Sequence, residues 1–312
     1  MATDYDSFVE AFYIACEVGN LPKAQEALAS GRLIAEDLEE GLALATREAH
    51  SDLVAVLFDA GAPVSDLTVA ALPGSSGIKQ HPSVVRQYLD HGLDANGSYS
   101  NGIPILALMM DPACAQELLS RGADPNRSDP KGVTPLTLAI NSTREEDTSL
   151  IDLLLASGAK LEPDLLFVAT APRVPQGEFT TRFLLAKGLD PNTTSVKYGN
   201  PIHRAIHSSR PNIVKVLLDA GADPTGQSAH PQYRGGSPLR LAKCIRSTEL
   251  QETMLALLQS RGVDIGGGVG TVGIGWYFGT ATSTVGGSGL AWPRHYSGDI
   301  GGGVDLVLEC RF

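Results

Sequence analysis

His203 and His207, four positions apart, are the sharpest chemical signal in this chain of 312 residues. On a helix that spacing puts two imidazoles on one face, which is how helical zinc sites begin. Arg204, however, stands where a metallopeptidase needs its glutamate base, and the sequence offers no third ligand. His203 is therefore read as a hydrogen-bonding histidine of a helical unit, and His207 as a side chain on its inner face. Gly268-Val269-Gly270-Thr271-Val272-Gly273 matches the dinucleotide fingerprint letter by letter. That chemistry needs a preceding strand and a helix N-terminus to hold a pyrophosphate, and Ile274-Gly275-Trp276 opens no helix. Glu39-Glu40 and Glu145-Glu146-Asp147 fall in a helix start and a loop, where carboxylates read as solvated charge, not as an acid and base pair. Cys16, Cys114, Cys244 and Cys310 are widely spaced, with no Cys-x-x-Cys pair, and read as reduced and mostly buried. There is no Gly-x-Ser-x-Gly elbow and no phosphate-binding loop. The inventory predicts no catalytic residue, no cofactor and no metal.

The elements that would position any site are more legible than the site. A leucine-rich helical stretch ending in glycine recurs along the chain. It is clearest as Leu119-Ser120-Arg121-Gly122-Ala123-Asp124-Pro125-Asn126 and Leu218-Asp219-Ala220-Gly221-Ala222-Asp223-Pro224-Thr225. Weaker copies stop at Gly61, Gly92, Gly158, Gly188 and Gly262, with an eighth at Gly31, so the stops are 30 to 41 residues apart. Glycine after a helix is the expected left-handed stop, and a period in this range is the signature of a helical array. Ser7-Phe8-Val9-Glu10 and Thr248-Glu249-Leu250-Gln251 both have the form of a capping box. Between them the apolar periodicity predicts helix pairs over about 7–18 and 21–28, 36–48 and 51–59, and 65–71 and 82–89. In the first helix Phe8, Phe12, Ile14 and Ala15 are expected to form the apolar face.

Gly132-Val133-Thr134-Pro135-Leu136-Thr137-Leu138-Ala139 resembles the Thr-Pro-Leu-His-x-Ala signature of ankyrin repeats. Asn200-Pro201-Ile202-His203-Arg204-Ala205 keeps its histidine. Ser237-Pro238-Leu239-Arg240-Leu241-Ala242 and the worn Ile103-Pro104-Ile105-Leu106-Ala107 are further copies. Each letter has a cause: Thr, Asn or Ser caps the helix, Pro sits where no N–H is needed, and Leu and Ala pack the tight pair. The divergent repeats resemble those of the large ankyrin families of filamentous fungi. The resemblance implies an all-α fold, an ankyrin-type solenoid of about seven to eight repeats over residues 1–265 with β-turn fingers along one edge. After Gly61 and Gly158 the next helix follows almost at once, so those repeats lack a full finger. After Gly221 the finger is four residues longer. The connections at 141–148 and 171–177 are enlarged, and loops are where solenoids place function.

Residues 266–312 differ in composition: a Gly-rich, uncharged stretch reaches Pro293, with Val272, Ile274, Trp276 and Phe278 at strand spacing. It reads as a β-prone or disordered tail, with strands docked on the last repeat as the alternative. Its Gly, Thr and Ser content argues against a membrane span.

A net charge of −11 argues against nucleic acid as partner, since phosphate contacts need clustered cations. With 43% hydrophobic and 6% aromatic residues the core is built from Leu, Ala and Val. An acidic, polar start without an apolar signal core points to a cytoplasmic or nuclear protein. The resemblance implies a non-enzymatic scaffold or adaptor that binds a protein partner on its concave and finger surface. The alternatives are an inhibitor or substrate receptor acting on an enzyme in trans, and an adaptor tethered to a membrane through the tail. Tyr99, Tyr198 and Tyr233 fall in three fingers, with Lys131 in a fourth and Lys197 and Arg234 beside the tyrosines. Tyrosine and arginine dominate interface energies, so these six residues are the expected partner-binding set, with rings that each cover their own turn as the alternative.

Overall fold

A glycine with φ of +86° at position 122 shows what the recurring phrase does. A methyl group there would meet nothing within 4 Å, so glycine is required by torsion and not by space. Gly31, Gly61, Gly92, Gly158, Gly188, Gly221 and Gly262 repeat both properties. Behind each of the last six stops, as at Gly122, the next N–H turns back onto the helix, for example Ala123 to the Leu118 carbonyl at 3.1 Å and Ala222 to Leu217 at 2.9 Å.

A computed structural model of the chain describes residues 4–75, 78–172, 174–195, 198–228, 230, 233 and 236–266. Among them the helices form eight pairs, α1 (Asp4–Glu17) with α2 (Leu21–Ala29), α3 (Ala35–Arg47) with α4 (Ser51–Asp59), α5 (Asp66–Ala70) with α6 (Pro82–Asp90), and α7 (Ile105–Leu108) with α8 (Pro112–Ser120). The series continues with α9 (Pro135–Ser142) and α10 (Ser149–Ala156), α11 (Leu165–Ala169) and α12 (Gly177–Ala186), α13 (Pro201–His207) and α14 (Pro211–Asp219), and α15 (Pro238–Lys243) and α16 (Thr248–Gln259). First helices pack on first helices, as α1 on α3, α3 on α5, α9 on α11 and α13 on α15. Second helices pack on second helices, as α4 on α6, α6 on α8, α12 on α14 and α14 on α16. This nearest-neighbour stacking in two helical layers is the all-α solenoid expected from the sequence. The contacts divide the chain into Met1–Val263, which holds all these helices, and Asp264–Phe312. Of the second unit only 264–266 are described, so the reading of the Gly-rich stretch lies outside the described residues.

The core is leucine and alanine with few aromatics, as composition dictates: Leu42, Leu53, Leu57, Leu118, Leu154 and Leu217 are all but fully buried. Ion pairs join successive second helices on the surface, Arg86 with Glu117, Arg121 with Asp90, Lys187 with Asp152 and Arg261 with Asp219. Exposed pairs of this kind add at most about 1 kcal/mol each.

Local signals fail in four places. Helix α1 begins at Asp4, so Ser7 lies inside it and caps nothing; Asp4 and Asp6 supply the favourable negative charge of the first turn. Ile14 is 52% exposed because α3 packs on the Phe12 and Cys16 side, where Gly41 makes room for the Phe12 ring. The cap of α16 is Ser247, one residue before the expected box, and Gln251 instead reaches the Lys243 carbonyl at 2.7 Å. Thr134 and Ser237 cap α9 and α15, but Asn200 makes no side-chain cap bond to α13.

Candidate functional site

The residues after each glycine stop build one edge of the array. Asp94, Asp124, Asp190 and Asp223 accept through Oδ1 the N–H two residues on, at 2.8 to 2.9 Å, which folds each turn on itself. The asparagine that follows works between repeats. Asn96, Asn126 and Asn192 donate from Nδ2 to the carbonyls of Gly122, Gly158 and Gly221, at 2.9, 2.9 and 3.0 Å. Their Oδ1 atoms accept from the N–H groups of Asp124, Lys160 and Asp223, at 2.8, 2.8 and 2.7 Å. One side chain thus satisfies the frayed end of the next helix while fixing the spacing along the edge.

Four fingers project beyond this ladder. In the first, Tyr99 N–H donates to the Ile103 carbonyl at 2.9 Å and Gly102 N–H to Tyr99 at 2.8 Å. The ring of Tyr99 packs on the core, and burial pushes its hydroxyl pKa up; that oxygen is buried without a hydrogen-bond partner. In the second, Asp129 Oδ1 accepts from Lys131 N–H at 2.8 Å and Val133 N–H at 2.7 Å, which leaves the Lys131 ammonium exposed. In the third, Ser195 and Gly199 exchange both backbone hydrogen bonds at 2.8 Å. Here Tyr198 stacks on Phe167, centroids 5.6 Å apart and planes at 27°, and the Arg204 guanidinium lies 4.3 Å from its ring centre. In the fourth, Ser228 N–H donates to the Gly236 carbonyl and Tyr233 is 4% exposed. The Tyr233 ring lies among His203, His207 and His230, with centroids 5.4 to 5.9 Å away.

Of the six residues expected to bind a partner, the structure brings Tyr99 and Lys131 into neighbouring fingers and Tyr198 and Tyr233 into the next two. Lys197 and Arg234 lie outside the described residues. Lys131 and Tyr198 line one cavity of about 260 Å³, together with Val133, Lys160, Leu165 and Val168. It sits where the repeat stopped by Gly158 sends out no finger. Sequence reasoning overlooked Phe167 and Arg204, which hold Tyr198, and the asparagine ladder. The Asp-Pro-Asn spelling carries a signal for the ladder, but nothing in sequence marks Phe167.

The buried histidine is engaged structurally: His203 Nε2 donates to the Gly236 carbonyl at 2.9 Å. No group of three His, Cys, Asp or Glu side chains among the described residues is placed to hold a metal ion. Burial pushes the thiols of Cys16 and Cys114 up to about 12, far from the thiolate a nucleophile needs at neutral pH. No helix among the described residues is long and apolar enough to cross a membrane.

Stacked helix pairs, glycine-stopped second helices and β-turn fingers define a helical-repeat protein. Residues 200–228 match the family model of the ankyrin repeat, and this span covers α13, α14 and their turn. That span is an ankyrin repeat, and the same helix-pair unit recurs along the stack. The crystal structure of the human ASB11 ankyrin repeat domain is similar, at 19% identity and a TM-score of 0.48, covering 79% of this chain and 96% of that one. No curated protein matches the sequence.

Proposed function

We infer that this protein is a non-enzymatic scaffold or adaptor that binds a protein partner on the finger edge and the adjoining faces of the first helices. Ankyrin repeats in general mediate protein–protein interaction. The observation that carries the reading for this chain is the preorganised edge. Its turns are closed by their own carboxylates and spaced by the asparagine ladder, while Lys131 points free of any structural duty. A surface ordered before contact loses little entropy on association, which is what a recognition surface needs. Binding in a cytoplasmic or nuclear setting, without catalysis by the chain itself, is part of the same proposal.

The test uses the immobilised full chain and identifies retained proteins by mass spectrometry. One variant set alters the finger edge, K131E with Y198A; a second places a charge on the exposed side of α5, L67E, where Leu67 is 46% exposed. At least one set is expected to lose a specific partner while its melting temperature stays within a few degrees of the wild type. Retention of the same proteins by both variants would remove the reading.

A further inference from the structure

Where two successive repeats both carry fingers, the fingers touch. A methyl group on Gly102 would stand 2.9 Å from Pro130 of the next finger, and one on Gly199 would stand 2.6 Å from Ser228 Oγ and 2.7 Å from the Tyr233 ring. After Gly158 the chain passes through Lys160 and Glu162 and enters α11 behind Asp164, so no turn fills the corresponding place. The cavity of about 260 Å³ is what remains between the second and third fingers.

Its walls are already fixed. Val133, Leu165 and Val168 give it an apolar lining, and Tyr198 is held in position by Phe167 and Arg204. Lys131 and Lys160 also line it; both are exposed, and neither is in an ion pair among the described residues. Lys131 and Lys160 bring two exposed ammonium groups to one cavity, where they can pair with an incoming carboxylate. Glu162 and Asp164 line the same cavity without pairing with either lysine. They disfavour a second carboxylate and so fix the orientation of an incoming segment.

We propose that this notch receives a reverse turn of a protein partner, which completes the row of fingers in trans. An acidic side chain of that turn pairs with Lys131 and Lys160, and its apolar neighbour seats on Val133, Leu165 and Val168. The array itself places turns at the flanking positions, so a turn is the shape its walls complement. The proposal rests on the protein-binding reading above and adds the site and the chemistry of the bound segment.

The probe is a disulfide-closed hairpin peptide with Leu-Asp at its turn, labelled for fluorescence anisotropy and titrated with the full chain. The controls are the same hairpin with Leu-Lys and a linear scrambled peptide. The acidic hairpin is expected to bind at least about tenfold more tightly than either control, and to weaken as salt rises from about 50 to about 300 mM. Its affinity should fall about tenfold or more in K131E/K160E, a change at two exposed side chains that leaves the fold intact. Inserting a copy of residues 128–132 after Lys160 should fill the notch in cis and abolish binding. If that insertion does not fold, the charge reversal decides alone. Equal binding of the acidic and basic hairpins, no binding up to about 2 mM, or binding that survives the charge reversal overturns the proposal. If partner capture is lost in L67E but survives K131E/K160E, protein binding stands and the notch alone is removed.

Discussion

His203 donates from Nε2 to the Gly236 carbonyl, while its Nδ1 is buried with no hydrogen-bond partner. Burial lowers its pKa below the ordinary 6.5, opposed by the Gly236 bond and by Asp223. The groups around it are His207 and His230, which share the Tyr233 ring, together with Arg204 and Asp223. Folded His203 therefore takes a proton less readily than the unfolded chain does. The unfolded state binds more protons below 6.5, so stability falls as pH drops through that value and is intact above it. Asp111, Asp152 and Asp223 have lowered pKa values, so their own losses begin only nearer pH 4. Between pH 7.5 and 5.5 the melting temperature should fall more for wild type than for H203Q, although H203Q starts lower. Equal losses would place the acid sensitivity elsewhere. A second residue-scale expectation concerns Gly122, where nothing crowds the Cα. G122A should still cost about 1–2 kcal/mol in urea unfolding, because the left-handed torsion alone penalises a Cβ. A loss under about 0.3 kcal/mol would mean that the helix end relaxes into another conformation.

At the scale of elements, what the sequence makes legible is what local torsion and periodicity decide. All eight glycine stops are in the left-handed region, and the second helices expected over 21–28, 51–59 and 82–89 are found within a residue of those bounds. The cap at Ser7 misleads because Asp4 and Asp6 extend α1 backward, which no single turn announces. Tyr233 looks like a free recognition residue in sequence and is a core residue in the fold, since its burial depends on Gly199 and His203, about thirty residues earlier. The cavity beside Tyr198 is half legible. The missing finger can be counted, but the Phe167 and Arg204 that hold the ring come from two different helices. Leu153 and Leu154 show the same limit one residue apart: Leu154 is 1% exposed and Leu153 only half-buried. L154A and L217A should each cost about 2–5 kcal/mol, and L153A clearly less. Asn126 bridges two repeats with two hydrogen bonds at a partly exposed site, so N126A should cost about 1–2 kcal/mol. N126D keeps the acceptor and loses the donor, so it should fall between. Equal stabilities for all three proteins would show that the ladder only decorates the edge.

Among the described residues of the array, the buried apolar side chains fall into two clusters. One cluster of buried residues runs from Phe12 to Leu184 and another from Ile202 to Val263, with Leu185 packed against both. Repeat arrays are held by nearest-neighbour contacts, so the boundary between two clusters marks the interface at which cooperativity is weakest. Polar groups do much of the joining here. Arg210 Nη1, at the start of α14, donates to the carbonyls of Ala171 and Val174, both at 3.0 Å, in the enlarged connection before α12. Gly177 leaves the space for it, since a methyl group there would stand 3.0 Å from the guanidinium. The Asn192 bridge to Gly221 and Asp223 and the stacking of Tyr198 on Phe167 add to the same junction. Hydrogen bonds from a charged donor contribute more than neutral ones, and the two orphaned carbonyls in R210A would have to find water. R210A should therefore uncouple the last two repeats. Hydrogen exchange in increasing urea should show residues 200–263 opening before residues 4–190, and the single optical transition should broaden with a smaller apparent m-value. R210K, which keeps the charge but cannot reproduce the planar fork, should lie between the two. If R210A merely shifts the midpoint, with one transition of unchanged slope and uniform exchange, the two clusters are coupled through Leu185 and the helix contacts instead. The division into two clusters would then carry no mechanical meaning.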